Sequence, residues 1–314
     1  MKFEFEIKKD REDREYAVIK GGEGGCKKLI IPADKDGVVP VREIGNHSFS
    51  SRKDLEEVEI PDSVETILGF AFHNCSNLRK ISLTDSVTEY LDGTTRQCEN
   101  LEEIDVLIKR GNYGIIRRIL EDNDRRIIFM IHENDGDALI VFPGFNYDFV
   151  ENTMARTIQF AIEGTGYAYR ECVKPGEINY REYDNLFTKA SCDDRVTAEK
   201  IAMARLLYPY QLSDDAKEMY ENWLCENAKK NLTERVKKDH PAAEKVTIFD
   251  DYRRPEEVTD FYIKRKFIKK EHISDIVKAA TDAGNTTMVS MLMDYKNECG
   301  DNHVTSNNML ELDF

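Results

Sequence analysis

No apolar run in this 314-residue chain approaches the roughly 18 residues needed to cross a bilayer, so no membrane helix is expected. The opening Met1-Lys2-Phe3-Glu4-Phe5-Glu6-Ile7 is too charged for the apolar core of a secretory leader. The seven cysteines are an odd number, scattered without the spacing of a disulfide framework. Reduced thiols in the cytoplasm are therefore the expectation, or a secreted protein if a leader was removed upstream. Motifs for chemistry are missing as well. There is no G-x-x-x-x-G-K-[ST] loop, no G-x-G-x-x-G between strand and helix, no G-x-S-x-G elbow and no H-E-x-x-H pair. The Gly21–Gly25 run has no helix after it and reads as a flexible entry loop, and Gly164-Thr165-Gly166 reads as a turn. No catalytic residue, metal site or cofactor is indicated.

Excess positive charge is also lacking. The formal net charge is −15, with 23 Asp/Glu against 15 Lys/Arg in residues 1–106 and 37 against 30 in the rest. Acidity spread in this way repels phosphate backbones and argues against nucleic acid, leaving proteins, basic peptides or small molecules as partners.

What the chain does have is a period. Leu55, Leu78 and Leu101 share one column at a spacing of 23 residues, Val58, Ile81 and Ile104 a second, and Ile60, Leu83 and Val106 a third. Cys75 with Cys98, Asn77 with Asn100, and Val64 with Val87 keep the same step. Upstream, Val41, Ile44 and Phe49 precede Val64, Ile67 and Phe72 by 23, whereas Leu29, Ile31 and Pro32 precede Val58, Ile60 and Pro61 by 29. The difference is an insertion around Asp34–Val39. A fixed period of this length with leucines at i, i+3 and i+5 marks a leucine-rich solenoid, each coil laying one short strand beside the last.

Ile60-Pro61-Asp62-Ser63-Val64-Glu65-Thr66-Ile67, then Ala71-Phe72-His73-Asn74-Cys75-Ser76-Asn77-Leu78, closely resembles the BspA-type leucine-rich repeat. The likeness covers about residues 1–106. It implies binding roles, and many relatives are secreted or surface adhesins. The last copy departs from the pattern: Thr95 stands where Phe49 and Phe72 would lead, and Thr84 where Pro32 and Pro61 would. A solenoid must stop presenting an apolar face at its end, so this decay predicts a capping coil.

Between the buried columns lie Glu56, Arg79 and Glu102, then Glu57, Lys80 and Glu103, then Glu59, Ser82 and Asp105. These nine form the candidate protein-binding strip. The competing reading is a solvated face whose charges satisfy one another, as in the sign-alternating column Glu57–Lys80–Glu103. His73 and Cys75 are close in sequence but belong to the repeat, and two ligands do not make a zinc site.

Past residue 106, Tyr113–Leu120 has helical periodicity, and residues 126–131 and 138–142 form a hairpin around 133–137. From about Asn152 onward the reading is helical, with helices over Ala198–Leu207 and Asp214–Asn231 and a charged, mobile elbow at Lys229–Lys245. A helix pair turning at Gly284-Asn285 resembles one ankyrin unit, and the chain after Cys299 reads as frayed. The expected fold is α+β: a solenoid over 1–106, a helix and hairpin connector over 107–150, and a helical domain over 151–314.

Two further clusters are candidates. Tyr167, Arg170, Tyr183 and Asp184 could line an enzyme pocket within residues 107–230, or form the polar rim of a core. Lys264-Arg265-Lys266-Phe267-Ile268-Lys269-Lys270 could meet phosphates, or complement the dipole of a helix opened by Glu256, Glu257 and Asp260. The leading expectation is a non-catalytic protein-interaction scaffold. The oligomeric state is not legible.

Overall fold

The computed structural model describes residues 1–152, 157–237, 247–252 and 254–301. It divides into two compact units, Met1–Lys217 and Glu218–Phe314. The division falls within a single helix, Asp214–Arg235.

The first unit opens with β1 (Lys2–Lys9) and β2 (Glu15–Glu23), an antiparallel pair. The Gly21–Gly25 run is thus partly strand rather than free loop, and Gly22 is held against the N-terminus: a Cβ there would stand 2.8 Å from Met1 Sδ. The coils follow as β3 (Lys28–Ile30), β4 (Asp34–Lys35), β5 (Val39–Ile44), β6 (Glu57–Glu59), β7 (Thr66–Ile67), β8 (Lys80–Thr84), β9 (Glu89–Tyr90) and β10 (Glu103–Leu107). Each coil contributes to two sheets. A strip sheet runs β3–β6–β8–β10 in parallel, and a second sheet runs β2–β5–β7–β9 in parallel with β1 at its edge. The sequence pattern announces the strip sheet. It says less of the second, whose strands are as short as two residues.

The columns stack as spaced. Leu55, Leu78, Val58, Ile81, Ile104, Leu83 and Val106 are all buried between the sheets. Phe49 and Phe72 lie in parallel with ring centroids 5.6 Å apart, and Phe3 closes the column edge-on, 6.5 Å from Phe49. Such pairs add about 0.5–1.5 kcal/mol beyond their area. The turns repeat too. His47, Phe70 and Gly93 all have positive φ, as do Ser51, Asn74 and Gln97 four residues later. Left-handed backbone at non-glycine residues persists where surrounding structure over-determines it. Gly93 is required for a second reason, because a Cβ there would meet Phe70 Cε1 at 2.5 Å. Asn77 and Asn100 each donate back one coil, to Lys53 O and Ser76 O, at 2.6 and 2.7 Å. Cys75 and Cys98 are buried and donate to Phe49 O and Phe72 O, both at 3.1 Å.

The expected capping coil has a specific construction. Thr95 ends the phenylalanine column, and Tyr90, one rung beyond Ile67, brings its hydroxyl to Thr95 Oγ1 at 2.9 Å. Next comes α1 (Gly114–Asp122), whose Ile115, Ile116, Ile119 and Leu120 are buried. β11 (Ile127–Glu133) then pairs in parallel with β10, and β12 (Gly136–Phe142) returns antiparallel. The hairpin therefore extends the strip sheet.

β13 (Asn146–Asn152) and β14 (Thr157–Glu163) form a further antiparallel pair, β13 at the end of the expected connector and β14 where helix was expected. Apolar residues alternate with polar ones at Ile158, Phe160 and Ile162, the period of a strand. Then come α2 (Gly166–Arg170), a two-residue pair of β15 (Val173–Lys174) and β16 (Glu177–Ile178), α3 (Tyr180–Asn185), α4 (Phe187–Asp193) and α5 (Arg195–Leu207). Asp194 caps α5 by accepting Val196 N at 3.0 Å, and the helix packs on β12.

α6 (Asp214–Arg235) leads into the second unit, whose remaining helices are α7 (Pro255–Lys264), α8 (Lys270–Asp282) and α9 (Thr286–Asp301). Ile273, Ile276, Ala280, Met288 and Leu292 are buried, and Asn285 Oδ1 caps α9 by accepting Met288 N at 3.0 Å. Much of the proposed elbow and the segment after residue 301 lie outside the described residues. The α+β class, a parallel-strand solenoid followed by helices, is what the structure has.

Candidate functional site

All nine strip residues lie on the strip sheet or immediately before its strands, in the expected columns. Strand pairing aligns Lys28, Glu57, Lys80 and Glu103 across four rungs. Charge alternates at every step. Lys80 Nζ lies 2.8 Å from Glu103 and 3.2 Å from Asp105, while Lys28 bridges Glu57 and Glu59. Glu56 pairs with Lys27 at 2.8 Å, and Glu102 with Lys200 at 3.0 Å and with Arg79 at 3.8 Å. Ser82 sits half-buried between Glu59 and Asp105 in the middle rung.

The two ends of the strip differ. At β11 and β12 the same face carries Ile128, Met130, Leu139 and Val141, all buried, and α5 covers the adjoining strand. Glu103, beside Ile128, is only 1% exposed and pairs with Lys80. Burial pulls the Lys80 ammonium down, but Glu103 and Asp105 outweigh it and hold its pKa above the ordinary value. Towards β3 the face opens to solvent: Glu59 is partly exposed and Ile30, at the edge, is 59% exposed.

Several participants were not read from the sequence. Lys28 precedes Glu57 by the same 29 residues as Leu29 precedes Val58, so the inserted first coil already held the signal. His132 bridges Asp105 at 3.2 Å and Asp137 at 2.8 Å, tying β10, β11 and β12 together. It was hidden because α1 shifts that rung to a spacing of 25, as in Ile104 with Phe129. Lys200 comes from α5, and no spacing in the repeat points to it.

The second cluster is not brought together as a pocket. Arg170 is buried and donates to four backbone carbonyls, those of Pro143, Gly166, Asn123 and Arg125, at 2.6–3.0 Å. Burial lowers its pKa to about 10. The Tyr183 hydroxyl exchanges bonds with Val141 O and Val141 N at 2.7 and 2.9 Å. Asp184 receives the buried Arg205 guanidinium through two bonds at 2.8 and 3.1 Å. Tyr167 alone reaches solvent, edge-on to Phe145. The polar groups of Arg170, Tyr183 and Asp184 are thus turned into the structure that joins hairpin to helices.

In the second unit, Phe267 and Ile268 of the basic stretch are buried between α7 and α8, and Lys264 pairs with Asp260 at 2.6 Å. His73 is half-buried and edge-on to Phe70 at 5.5 Å. Among the described residues no group of three or more His, Cys, Asp or Glu side chains is placed to hold a metal ion, and no helix is long and apolar enough to cross a membrane.

The stacked coils bear asparagine steps and a capped phenylalanine column, and their residues 34–113 match the BspA-type leucine-rich repeat family. Residues 34–113 form a BspA-type leucine-rich repeat region. Solved structures similar to the chain include a leucine-rich repeat protein from Bacteroides ovatus ATCC 8483, 24% identical over 34% of this chain and 30% of that one, with a TM-score of 0.29. A leucine-rich repeat protein from Bacteroides capillosus ATCC 29799 is 24% identical over 32% and 76%, with a TM-score of 0.28. A leucine-rich cell surface protein from Faecalibacterium prausnitzii A2-165 is 22% identical over 32% and 35%, with a TM-score of 0.25. The match thus spans under a third of the Bacteroides ovatus protein's length. No curated protein matches this chain. The BspA-type region holds β6, β8 and β10 of the strip, β3 precedes it, and the hairpin and α5 close the other end.

Proposed function

We propose that this protein is a non-catalytic interaction scaffold that binds a protein or peptide through the strip formed by Glu56, Glu57, Glu59, Arg79, Lys80, Ser82, Glu102, Glu103 and Asp105. The observation that carries this reading is the Lys28–Glu57–Lys80–Glu103 column, a row of alternating charge set in register by backbone pairing. Such a row is pre-organised, because the ladder fixes where each charge lies before a partner arrives. Pre-organisation lowers the ordering cost of association, and charge patterning selects partners more than it adds raw affinity. The partner's contacts fall towards the open end, on Glu56, Glu59 and Ser82, since Glu103 is covered.

Affinity capture with the full chain, beside the double variant Glu59→Lys/Ser82→Lys, tests the reading. Both positions reach solvent and neither is in the core, so the variant is expected to fold. A protein retained by the native chain and lost with the variant is the expected result. A partner retained equally by both would move the binding surface elsewhere, and no specific partner for either would remove the scaffold reading's support.

A further inference from the structure

The second sheet ends on a rung that lacks a neighbour. Each coil supplies one strand to each sheet, and after β10 the chain supplies β11 to the strip sheet but α1 where the second sheet's next strand would be. In the earlier rungs the carbonyls on this side are filled by the following coil: Ile44 O by Leu68 N and Ile67 O by Leu91 N, at 2.9 and 3.0 Å, and Arg42 O by Glu65 N and Glu65 O by Thr88 N, both at 2.9 Å. One coil further on, Thr88 O and Tyr90 O have no donor among the described residues.

α1 does not seal this edge. A groove of about 340 Å³ runs between them, lined by Val87, Thr88 and Tyr90 on the strand side and by Ile115, Arg117 and Arg118 on the helix side. That volume lies at the lower end of the ~300–1,000 Å³ of binding clefts. Val87 and Ile115 lie at its base, only 1% and 2% exposed. Its rim is positive on balance, because Arg117 and Arg118 share one carboxylate, Glu121, at 3.4 and 3.1 Å.

We propose that this groove takes an extended peptide in which apolar and acidic residues alternate, added as a parallel strand to β9. Its amide N–H groups donate to Thr88 O and Tyr90 O as each coil's do to the coil before. Its apolar side chains face Val87 and Ile115, and a carboxylate meets the Arg117/Arg118 pair. Main-chain bonds supply the affinity in strand addition and alternate side chains the selectivity. The site lies on the opposite sheet from the strip and does not depend on the strip binding anything.

The test uses the full chain and a fluorescein-labelled, end-blocked hexapeptide alternating valine and glutamate, read by anisotropy. Saturable binding is expected, weaker by about tenfold or more with Arg117→Glu/Arg118→Glu and within about threefold of native with Arg117→Lys/Arg118→Lys. Alternate amide N-methylation of the peptide is expected to abolish binding, and Glu59→Lys/Ser82→Lys in the strip to leave it unchanged. Equal binding of the N-methylated peptide, or of one with lysine for glutamate, would overturn the assignment. So would the absence of saturation at concentrations on the order of 1 mM. Concentration-dependent dimerisation abolished by the Arg117→Glu/Arg118→Glu pair would assign the edge to a second copy of this chain instead.

Discussion

The Asp122 carboxylate stands one rung beyond Thr95 and accepts its backbone N–H at 3.1 Å, while the other oxygen accepts Gly93 N–H at 2.9 Å. One coil earlier, the N–H equivalent to that of Thr95, on Phe72, donates at 2.9 Å to Thr94 O in the following coil. A single side chain at the end of α1 thus replaces the carbonyls of a coil that the chain does not form. Asp122→Ala should cost about 1–3 kcal/mol, the penalty for leaving buried donors unpaired, and Asp122→Asn less because one acceptor remains. Urea unfolding monitored by circular dichroism measures both.

Tyr90 and Thr95 exchange the usual sizes of their columns: a large ring where Ile44 and Ile67 lead, a small hydroxyl where Phe49 and Phe72 lead. Thr95→Phe alone is expected to destabilise by about 1–3 kcal/mol through overpacking against Tyr90 and Asn123. Adding Tyr90→Ile should recover part of that loss, with a coupling of about 0.5–3 kcal/mol in a double-mutant cycle. Strict additivity would show that the two side chains do not share the capping space.

Lys80 compensates the buried Glu103, whereas Lys28 pairs at the exposed end. Lys80→Met should therefore cost about 3–5 kcal/mol, as removing one partner of a buried pair does, against about 0–1 for Lys28→Met. The sign with pH follows from the raised folded-state pKa of Lys80. Its contribution is complete below its ordinary value of 10.5 and is lost as pH climbs through the higher folded value. Stability curves of the native chain and the methionine variant, measured from neutral to alkaline pH, should converge at the alkaline end.

Arg205 and Asp184 form a buried two-bond ion pair within the helices that follow the hairpin. Asp184→Ala alone should destabilise by about 3–5 kcal/mol, whereas the pair Asp184→Leu/Arg205→Met should cost far less. Thermal melts of the three chains distinguish this structural role. A double variant as unstable as the single one would mean that the charges do more than neutralise each other.

The repeat made the solenoid legible because burial imposes the same side chain at the same step, as at Leu55, Leu78 and Leu101. The strip was legible for the same reason, since residues between buried columns must face out. Legibility ended where the step changed. His132 entered the strip on a rung displaced by α1, and Lys200 arrived from a helix outside the repeat. Arg170, Tyr183 and Asp184 looked like pocket residues because polar type alone does not show direction. Their partners are carbonyls and a guanidinium up to 47 residues away, which only the fold brings near. The β13–β14 pair was passed over although Ile158, Phe160 and Ile162 alternate as a strand does.

Register between coils is the claim on which strip, cap and open edge all rest, and a cross-link reads it directly. Glu59 and Ser82 are neighbours across β6 and β8, at a strand spacing of about 4.8 Å that suits a disulfide. Glu59→Cys/Ser82→Cys should close that bond under mild oxidation, seen by mass spectrometry of the peptides. Glu59→Cys/Asp105→Cys, two rungs apart, should not. Closure of the distant pair in place of the adjacent one, or of neither, would contradict the stacking described here.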